Sequence, residues 1–377
     1  MEQENKKPGK RNDYARETSF VYGDQTWGVA YSKLDAEFDV EGEAVNNVTK
    51  YISESLEKLN ISKEDLKKMT VLDIGTGRQA AWFQKNGAEK VYHFDISKAH
   101  IDHTKKYCEV NNIKNLESHL GDLIKDKLPE EKFDFVFAAG IYQHLMPPHM
   151  GLINFAQSLK VGGKMYMGFY RSGDWRWFIV SMIRKGVTKK NFSKLKNKIS
   201  VSCAKGDASH FQVARMLDDF FVPGQSLFHP EDIIHDTKEC GLETVFIEDD
   251  MREYCHESKN YHSVGGDRIY LQKAKHFSYE DLAKKEFKTS KGKDQFFDIP
   301  YKEEIILENI DKWLELVDLY NHGFIDEDIW LDVLINMYRF ARPWNEKKDD
   351  YFSEAQEKGR HIILGGFLSR IKNNFVK

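Results

Sequence analysis

Apolar residues in this chain change their spacing several times, and each change marks an element. Val45, Val48, Ile52, Leu56 and Leu59 recur at three- and four-residue steps, which is one face of an amphipathic helix over 43–59. Ser62, with an acid at Asp65, reads as the cap of a short helix. The spacing then shortens. Compact apolar runs at 70–74, 90–94, 116–120, 133–138 and 164–169 read as strands. Helical segments at 80–86, 98–111 and 149–159 separate them. The run from Phe133 to Ala138 is almost wholly apolar, as a strand covered on both faces should be. Strands alternating with helices at this interval predict a parallel, doubly wound sheet. A helix opening at Pro230 and reaching Cys240 leads to two more strands, 242–248 and 268–273, expected at an antiparallel edge. The fold class is therefore α/β, a doubly wound, mostly parallel seven-stranded sheet with an antiparallel edge strand.

The rhythm fails in three places, and these set the domain limits. Residues 1–44 begin as a charged tail and continue through Tyr22 and Trp27, aromatics without a period; this stretch is a surface strap or a lid over a site. Residues 45–275 form the sheet domain, interrupted by an insertion at 172–228 that is a candidate substrate cover. Residues 276–377 are helical, with one stripe at Ile305, Ile306, Ile310, Trp313, Leu314 and Val317 and another at Ile329, Val333, Leu334, Met337 and Tyr338. Lys284 to Asp294 reads as a polar linker between sheet and helices. The Gly162-Gly163 pair reads as a tight turn.

Composition narrows the picture only a little. At 377 residues the chain can bury a large core, and a net charge of −4 argues against a globally basic nucleic-acid surface. Its four cysteines include no CxxC pair, so neither a zinc knuckle nor a redox dithiol is expected. No apolar leader opens the chain, and no apolar stretch approaches the length of a bilayer span. A cytoplasmic protein without membrane contact is expected. From Arg184 to Lys198 there are seven Lys or Arg and no acid, either a solvated helix face or a docking surface for an anion.

The candidate chemistry gathers where the first strand ends. Asp73-Ile74-Gly75-Thr76-Gly77 is an acid followed by a glycine turn, and a second acid, Asp95, closes the next strand. Glycines permit close backbone approach to a ligand, and an acid can hold two ribose hydroxyls. Gly75-x-Gly77-x-x-Ala80 even fits the dinucleotide fingerprint. Three features point away from NAD. Asp73 precedes the glycines, where an anion would repel a pyrophosphate but suit a cationic amine. Gly121-Asp122 closes the third strand with an acid that can accept from an adenine amino group. Ala138-Ala139-Gly140 offers small residues against which a ligand can lie.

With these features the chain resembles the class I S-adenosylmethionine-dependent methyltransferases. The residues carrying the resemblance are Val71 to Gly77, Asp95-Ile96-Ser97, Gly121-Asp122-Leu123, Phe133 to Val136 with Gly140 to Leu145, and Leu159 to Lys164. The resemblance implies S-adenosylmethionine as cofactor. It also implies that Asp73 orients the methionine ammonium, that Gly75 and Gly77 admit the ligand, and that Asp95 holds the ribose. Ile96 would pack on adenine, Asp122 and Leu123 would read its edge, and Gly140 would lie near the methionine end. Gln79 stands where the family often has a third glycine, which puts an amide beside the methionine moiety.

Methyl transfer from a sulfonium mainly requires positioning, with a base only where the nucleophile must lose a proton and no metal at all. His144, Tyr142 and Tyr170 follow the fourth and fifth strands and are the catalytic candidates. Tyr22, Trp27, His210, Arg215 and Asp218 are the substrate candidates, although Arg215 with Asp218 and Asp219 also fits a plain surface ion pair. Instead of Asn/Asp-Pro-Pro-aromatic after strand four, the chain reads Ala139-Gly140-Ile141-Tyr142. This argues against exocyclic-amine methylation of DNA, and because the stretches Phe221-Val222-Pro223-Gly224 and Phe228-His229-Pro230 resemble small-molecule members, a small-molecule N- or O-methyltransferase is expected. An RNA or protein acceptor, and a non-catalytic partner-binding module, are the competing readings. The C-terminal helices are also a candidate homodimer surface.

Overall fold

The computed structural model describes residues 21, 43–170, 175–187, 192–203, 209–248, 267–290, 304–341, 368 and 371–374. Tyr22 and Trp27, and with them the lid reading, lie outside the described residues, as do the side chains of His210 and Arg215. Among the described residues no helix is long and apolar enough to cross a membrane.

The chain divides into two compact units. The elements, in chain order, are α1 Glu43–Lys58, α2 Lys63–Leu66, β1 Thr70–Ile74, α3 Arg78–Lys85, β2 Lys90–Asp95, α4 Lys98–Val110, β3 Leu116–Leu120, β4 Phe133–Ala138, α5 Pro148–Ser158 and β5 Leu159–Phe169. There follow α6 Trp175–Gly186, α7 Phe192–Cys203, α8 Ser209–Phe221, α9 Pro230–Glu239, β6 Leu242–Glu248, β7 Asp267–Lys273, α10 Tyr279–Leu282, α11 Glu304–Asn321 and α12 Glu327–Ala341. The sheet unit comprises residues 1–170, 222–249 and 266–292; the helical unit comprises 171–221, 250–265 and 293–377.

In the sheet unit the strand order is β3-β2-β1-β4-β5-β7-β6. All pairs are parallel except β5 with β7 and β6 with β7, so the expected antiparallel edge is present. Side chains alternate across a strand, and the two apolar layers follow that alternation. Leu72, Ile74, Val136, Ala138, Met165 and Met167 enter one core. Val71, Phe135, Phe137, Tyr166 and Tyr270 enter the other, with Phe137 stacked on Tyr166 at 4.6 Å between ring centroids. Both faces of the central strands are thus covered, which is why their sequences read as continuous apolar runs.

Two local expectations change. Gly162-Gly163 is no turn between helix and strand: β5 already begins at Leu159, and the pair lies where its register with β4 shifts between Phe133 and Phe135. Gly162 takes up the irregularity at φ +84°. Nor does the segment expected as a linker stay apart from the sheet unit. Its first part, as far as Ser290, folds onto α9, where the backbone N–H groups of Lys288 and Thr289 donate to the two oxygens of the buried Asp236 carboxylate (2.9 and 2.8 Å).

The helical unit brings together the insertion and the C-terminal helices, which the sequence reading treats separately. Trp313 of α11 and Trp330 of α12 stack in its core at 5.1 Å. Their indole N–H groups donate to the carbonyls of Met182 (2.8 Å) and Gly186 (2.9 Å) on α6. A Cβ on Gly186 would fall 2.5 Å from Trp330, so only glycine admits the ring.

Candidate active site at the strand tips

Strand order reverses between β1 and β4, and an open α/β sheet binds ligands in the crevice at such a point, beyond the carboxyl ends of its strands. From β3 to β4 those ends present Asp122, Asp95, Asp73 and Gly140 in a row. The tips of β2 and β3 are tied directly, since the Gly121 N–H donates to the Asp95 carbonyl (3.0 Å).

Asp73 is fully buried. Its Oδ2 accepts from the Ala80 N–H in the first turn of α3 (2.9 Å), while Oδ1 has no partner. Burial, reinforced by Asp95, raises its pKa to about 8 against the pull of the Ala80 N–H. A buried carboxylate with one unmet oxygen is a site for a cation. The turn after it depends on glycine for two different reasons. Gly75 has φ +136°, and a Cβ there would meet only Ile141 Cδ1, at 3.6 Å. Gly77 caps α3 at φ +85°, and a Cβ there would fall 2.1 Å from Thr104 Oγ1. The second glycine is thus required by the close approach of α4.

His93 escapes sequence reasoning altogether. Paired in register with Asp73 and fully buried, it places Nε2 2.6 Å from the Gly75 carbonyl and Nδ1 3.2 Å from Ser118 Oγ. A carbonyl can only accept, so Nε2 carries the proton and Nδ1 takes the serine hydroxyl. Burial lowers the ring's pKa to about 4, keeping this neutral arrangement at physiological pH. His93 therefore anchors the glycine turn from beneath. A buried histidine inside a strand is the one signal that marks it.

Asp95 accepts at Oδ1 from the Ser97 N–H (2.5 Å), with His100 Nδ1 3.3 Å away. Its second oxygen has no partner among the described residues and remains available to a diol. Ile96 follows it, half-buried. Asp122 closes its own turn instead: Oδ1 accepts from the Ile124 N–H (3.0 Å), and Lys125 Nζ lies 3.9 Å from Oδ2. Leu123 is buried in the core. Gln79 lies half-buried in the first turn of α3.

Residues 72–167 match the family model of the methyltransferase domain. This stretch is a class I methyltransferase domain. Its cofactor is S-adenosylmethionine, and the unmet oxygens of Asp73 and Asp95 fit a ligand bearing an ammonium and a ribose diol. Solved structures resemble parts of the chain at low identity. A SAM-dependent methyltransferase from Aquifex aeolicus is 16% identical, over 60% of this chain and 97% of its own, at a TM-score of 0.33. PKMT2 from Rickettsia typhi is 15% identical, over 58% and 52%, at 0.42. A protein provisionally assigned as a sarcosine dimethylglycine methyltransferase, from Galdieria sulphuraria, is 14% identical, over 52% and 60%, at 0.36. The chain thus spans 52% and 60% of the lengths of the last two. At these scores none of the three bears on acceptor or activity.

Beyond β4 of the methyltransferase domain, a 3-10 turn over Tyr142–His144 carries two of the catalytic candidates, and they part company. Tyr142 is fully buried, with its hydroxyl 2.9 Å from Thr289 Oγ1 and its ring 5.0 Å from Phe228. Burial pushes its pKa well above the ordinary tyrosine value. Tyr142 is a core residue, which corrects the expectation that it meets substrate. His144 ends the same turn and is buried. Its Nδ1 lies 2.9 Å from the Gly224 carbonyl, so in the neutral ring Nδ1 bears the proton and Nε2 the lone pair. Tyr170, at the end of β5, packs edge-on against His144 at 5.6 Å.

The candidates in the insertion belong to the helical unit. His210, Arg215 and Asp218 lie on α8. Asp218 and Asp219 are buried there, which corrects the surface-pair reading; Asp219 Oδ2 accepts the Tyr338 hydroxyl and its carbonyl accepts from Arg184 (3.0 Å). The acids are buried because α8 is packed among α6, α7 and α12. The basic run is also engaged: Lys194 pairs with Glu327 (2.8 Å) and Lys198 with Asp332 (2.8 Å) on α12. A surface hollow in the sheet unit, lined by Gln84, Lys85, Tyr107 and residues 111–115, lies at the far ends of α3 and α4. Gln84 there donates to Asn115 (3.0 Å).

Proposed function

We propose that the chain is a methyltransferase that passes the methyl group of S-adenosylmethionine to an N or O nucleophile of a small molecule. The observation that carries this reading is the pair of partly unmet carboxylates at adjacent strand tips, Asp73 with Oδ1 unpartnered in a dry site and Asp95 with one oxygen unengaged. Asp73 holds the ammonium of the cofactor and Asp95 its ribose hydroxyls. Gly75 admits the ligand, Gly140 borders its methionine end, and Ile96 packs against the base. Asp122 contributes mainly by shaping the turn that presents Leu123. When bound, S-adenosylmethionine supplies an already activated methyl on a sulfonium.

What remains for the protein is to align the acceptor and exclude water. His144 accepts at Nε2 the proton that an O–H or N–H acceptor releases, with its ring steadied by Gly224 and Tyr170. A small acceptor is favoured over a polyanion because Lys194 and Lys198 are already paired with acids of their own unit.

Two measurements test this. Calorimetry should show binding of S-adenosylhomocysteine and no heat with NAD; the reverse pattern would sink the reading. Incubation of source-cell extract with methyl-labelled cofactor should then place label in the small-molecule fraction. His144→Ala should slow that labelling by about 10²–10⁴-fold, the usual worth of a general base, and spare S-adenosylhomocysteine affinity. Label confined to RNA or protein would overturn the choice of acceptor.

A further inference from the structure

The 3-10 turn that ends in His144 is held by chain that lies far outside the matched domain. A single 3-10 turn has poor hydrogen-bond geometry and offers little to fix a ring by itself. Its internal bonds run from the His144 N–H to the Ile141 carbonyl (2.9 Å) and from the Leu145 N–H to the Tyr142 carbonyl (3.2 Å). Two remote segments add to them. Residues 224–228 bring the Gly224 carbonyl to His144 Nδ1 (2.9 Å), the Ser226 N–H to the Gln143 carbonyl (2.8 Å) and the Phe228 ring to Tyr142 (5.0 Å). Residues 285–289 bring the Thr289 hydroxyl to the Tyr142 hydroxyl (2.9 Å).

The second hold is itself anchored. The buried Asp236 carboxylate takes the N–H groups of Lys288 and Thr289, which fixes the main chain of the segment as well as its side chains. Lys285 Nζ donates to the Glu239 carbonyl (2.9 Å) at the other end of α9, and Phe287 stacks on His149 of α5 at 5.4 Å. Tyr142 and Thr289 are both buried, so neither hydroxyl can turn to water for a substitute partner. Tyr142 stands two residues before His144. The series Asp236, Thr289, Tyr142 therefore ends at the backbone that orients the imidazole.

We propose that Thr289, set by Asp236, is a positioning residue: through the Tyr142 hydroxyl it fixes the turn that aims His144 at the acceptor. The proposal rests on the reading of His144 as the general base. It gives residues 285–289, downstream of the last strand, a part in aligning that base.

The test follows the rate at which methyl-labelled S-adenosylmethionine labels whichever fraction of source-cell extract the wild type labels. Thr289→Val leaves the Tyr142 hydroxyl buried and unmet. It should slow labelling by at least about tenfold, toward the roughly 10²-fold that a misplaced group costs, and leave S-adenosylhomocysteine affinity unchanged. Thr289→Ser keeps the hydroxyl and should keep the rate. Tyr142→Phe combined with Thr289→Val removes both hydroxyls, so it should recover the unfolding temperature that Thr289→Val loses without recovering the rate. A bond that served stability alone would return both. Wild-type labelling by Thr289→Val, or recovery of the rate in the double variant, would overturn the proposal and leave His144 standing as the base. Wild-type labelling by His144→Ala would remove the base itself, and the proposal with it. Should Thr289→Val not fold, the double variant and Thr289→Ser decide in the same way.

Discussion

Several buried polar groups of the two units differ in how they are held. In the helical unit, the indole N–H groups of Trp313 and Trp330 reach carbonyls of α6, and the Tyr338 hydroxyl reaches Asp219. In the sheet unit, Asp73 and Gln143 are as deeply buried yet keep unmet atoms. A buried polar group without a partner is destabilising by about 1–3 kcal/mol. On the proposed function, the unmet Asp73 oxygen at the tip of β1 is one that a bound cofactor would complete.

The largest effect that can break this comparison lies in the helical core. Trp330→Ala should cost about 3–5 kcal/mol, the usual loss for a buried tryptophan, read as a lower denaturant midpoint by far-ultraviolet circular dichroism. A loss below about 1 kcal/mol would mean that the stacked indoles do not organise that unit. Next in size is Gly77→Ala. Left-handed backbone and the contact with Thr104 together should cost about 2–4 kcal/mol. Adding Thr104→Ala should return the steric part and leave the backbone part. If the double variant is no more stable than the single, close approach of α4 is not the reason for this glycine.

The smallest effect is the most specific to the site. The folded-state pKa of Asp73 is raised to about 8, so its contribution to stability is fully present below its unfolded value and is lost as pH rises through about 8. His93 runs the other way. Its folded pKa is depressed to about 4, so its contribution is present above its unfolded value near 6.5 and is lost as pH falls through about 4. Between these limits the two slopes oppose each other, and only the Asp73 slope persists above pH 6.5. Unfolding free energy should therefore drop by about 2 kcal/mol from pH 6.5 to 8, at ~1.4 kcal/mol per unit. Asp73→Asn should flatten that drop. A drop that survives the substitution would place the titrating group elsewhere.

Much of the sheet unit was readable from spacing. The bounds expected for β1, β3, β4 and β6 are those observed: β1 and β4 lie inside the sheet and β4 leaves an unbroken apolar run, whereas β3 and β6 lie at its edges and keep polar positions. The site was readable in part. Asp73, Asp95 and the glycines announce themselves as acids and small residues at strand ends. His93, Gln143 and the core role of Tyr142 did not, because each depends on a neighbour remote in sequence: Ser118 for His93, Ser226 for Gln143 and Thr289 for Tyr142. The partners of Lys194 and Lys198 in the basic run were hidden for a similar reason, since they lie on α12, about 130 residues further along the chain.

The succession of strands and helices, the glycine turn and the acids at the tips of β1 and β2 were determined by the sequence itself. Local periodicity and turn chemistry act over a few residues, and those few residues are printed side by side. Which polar groups find partners was decided only by the tertiary structure. Hydrogen bonding is a short-range contest among groups that folding gathers from distant segments, and at Asp73 it leaves one buried carboxylate oxygen without a partner.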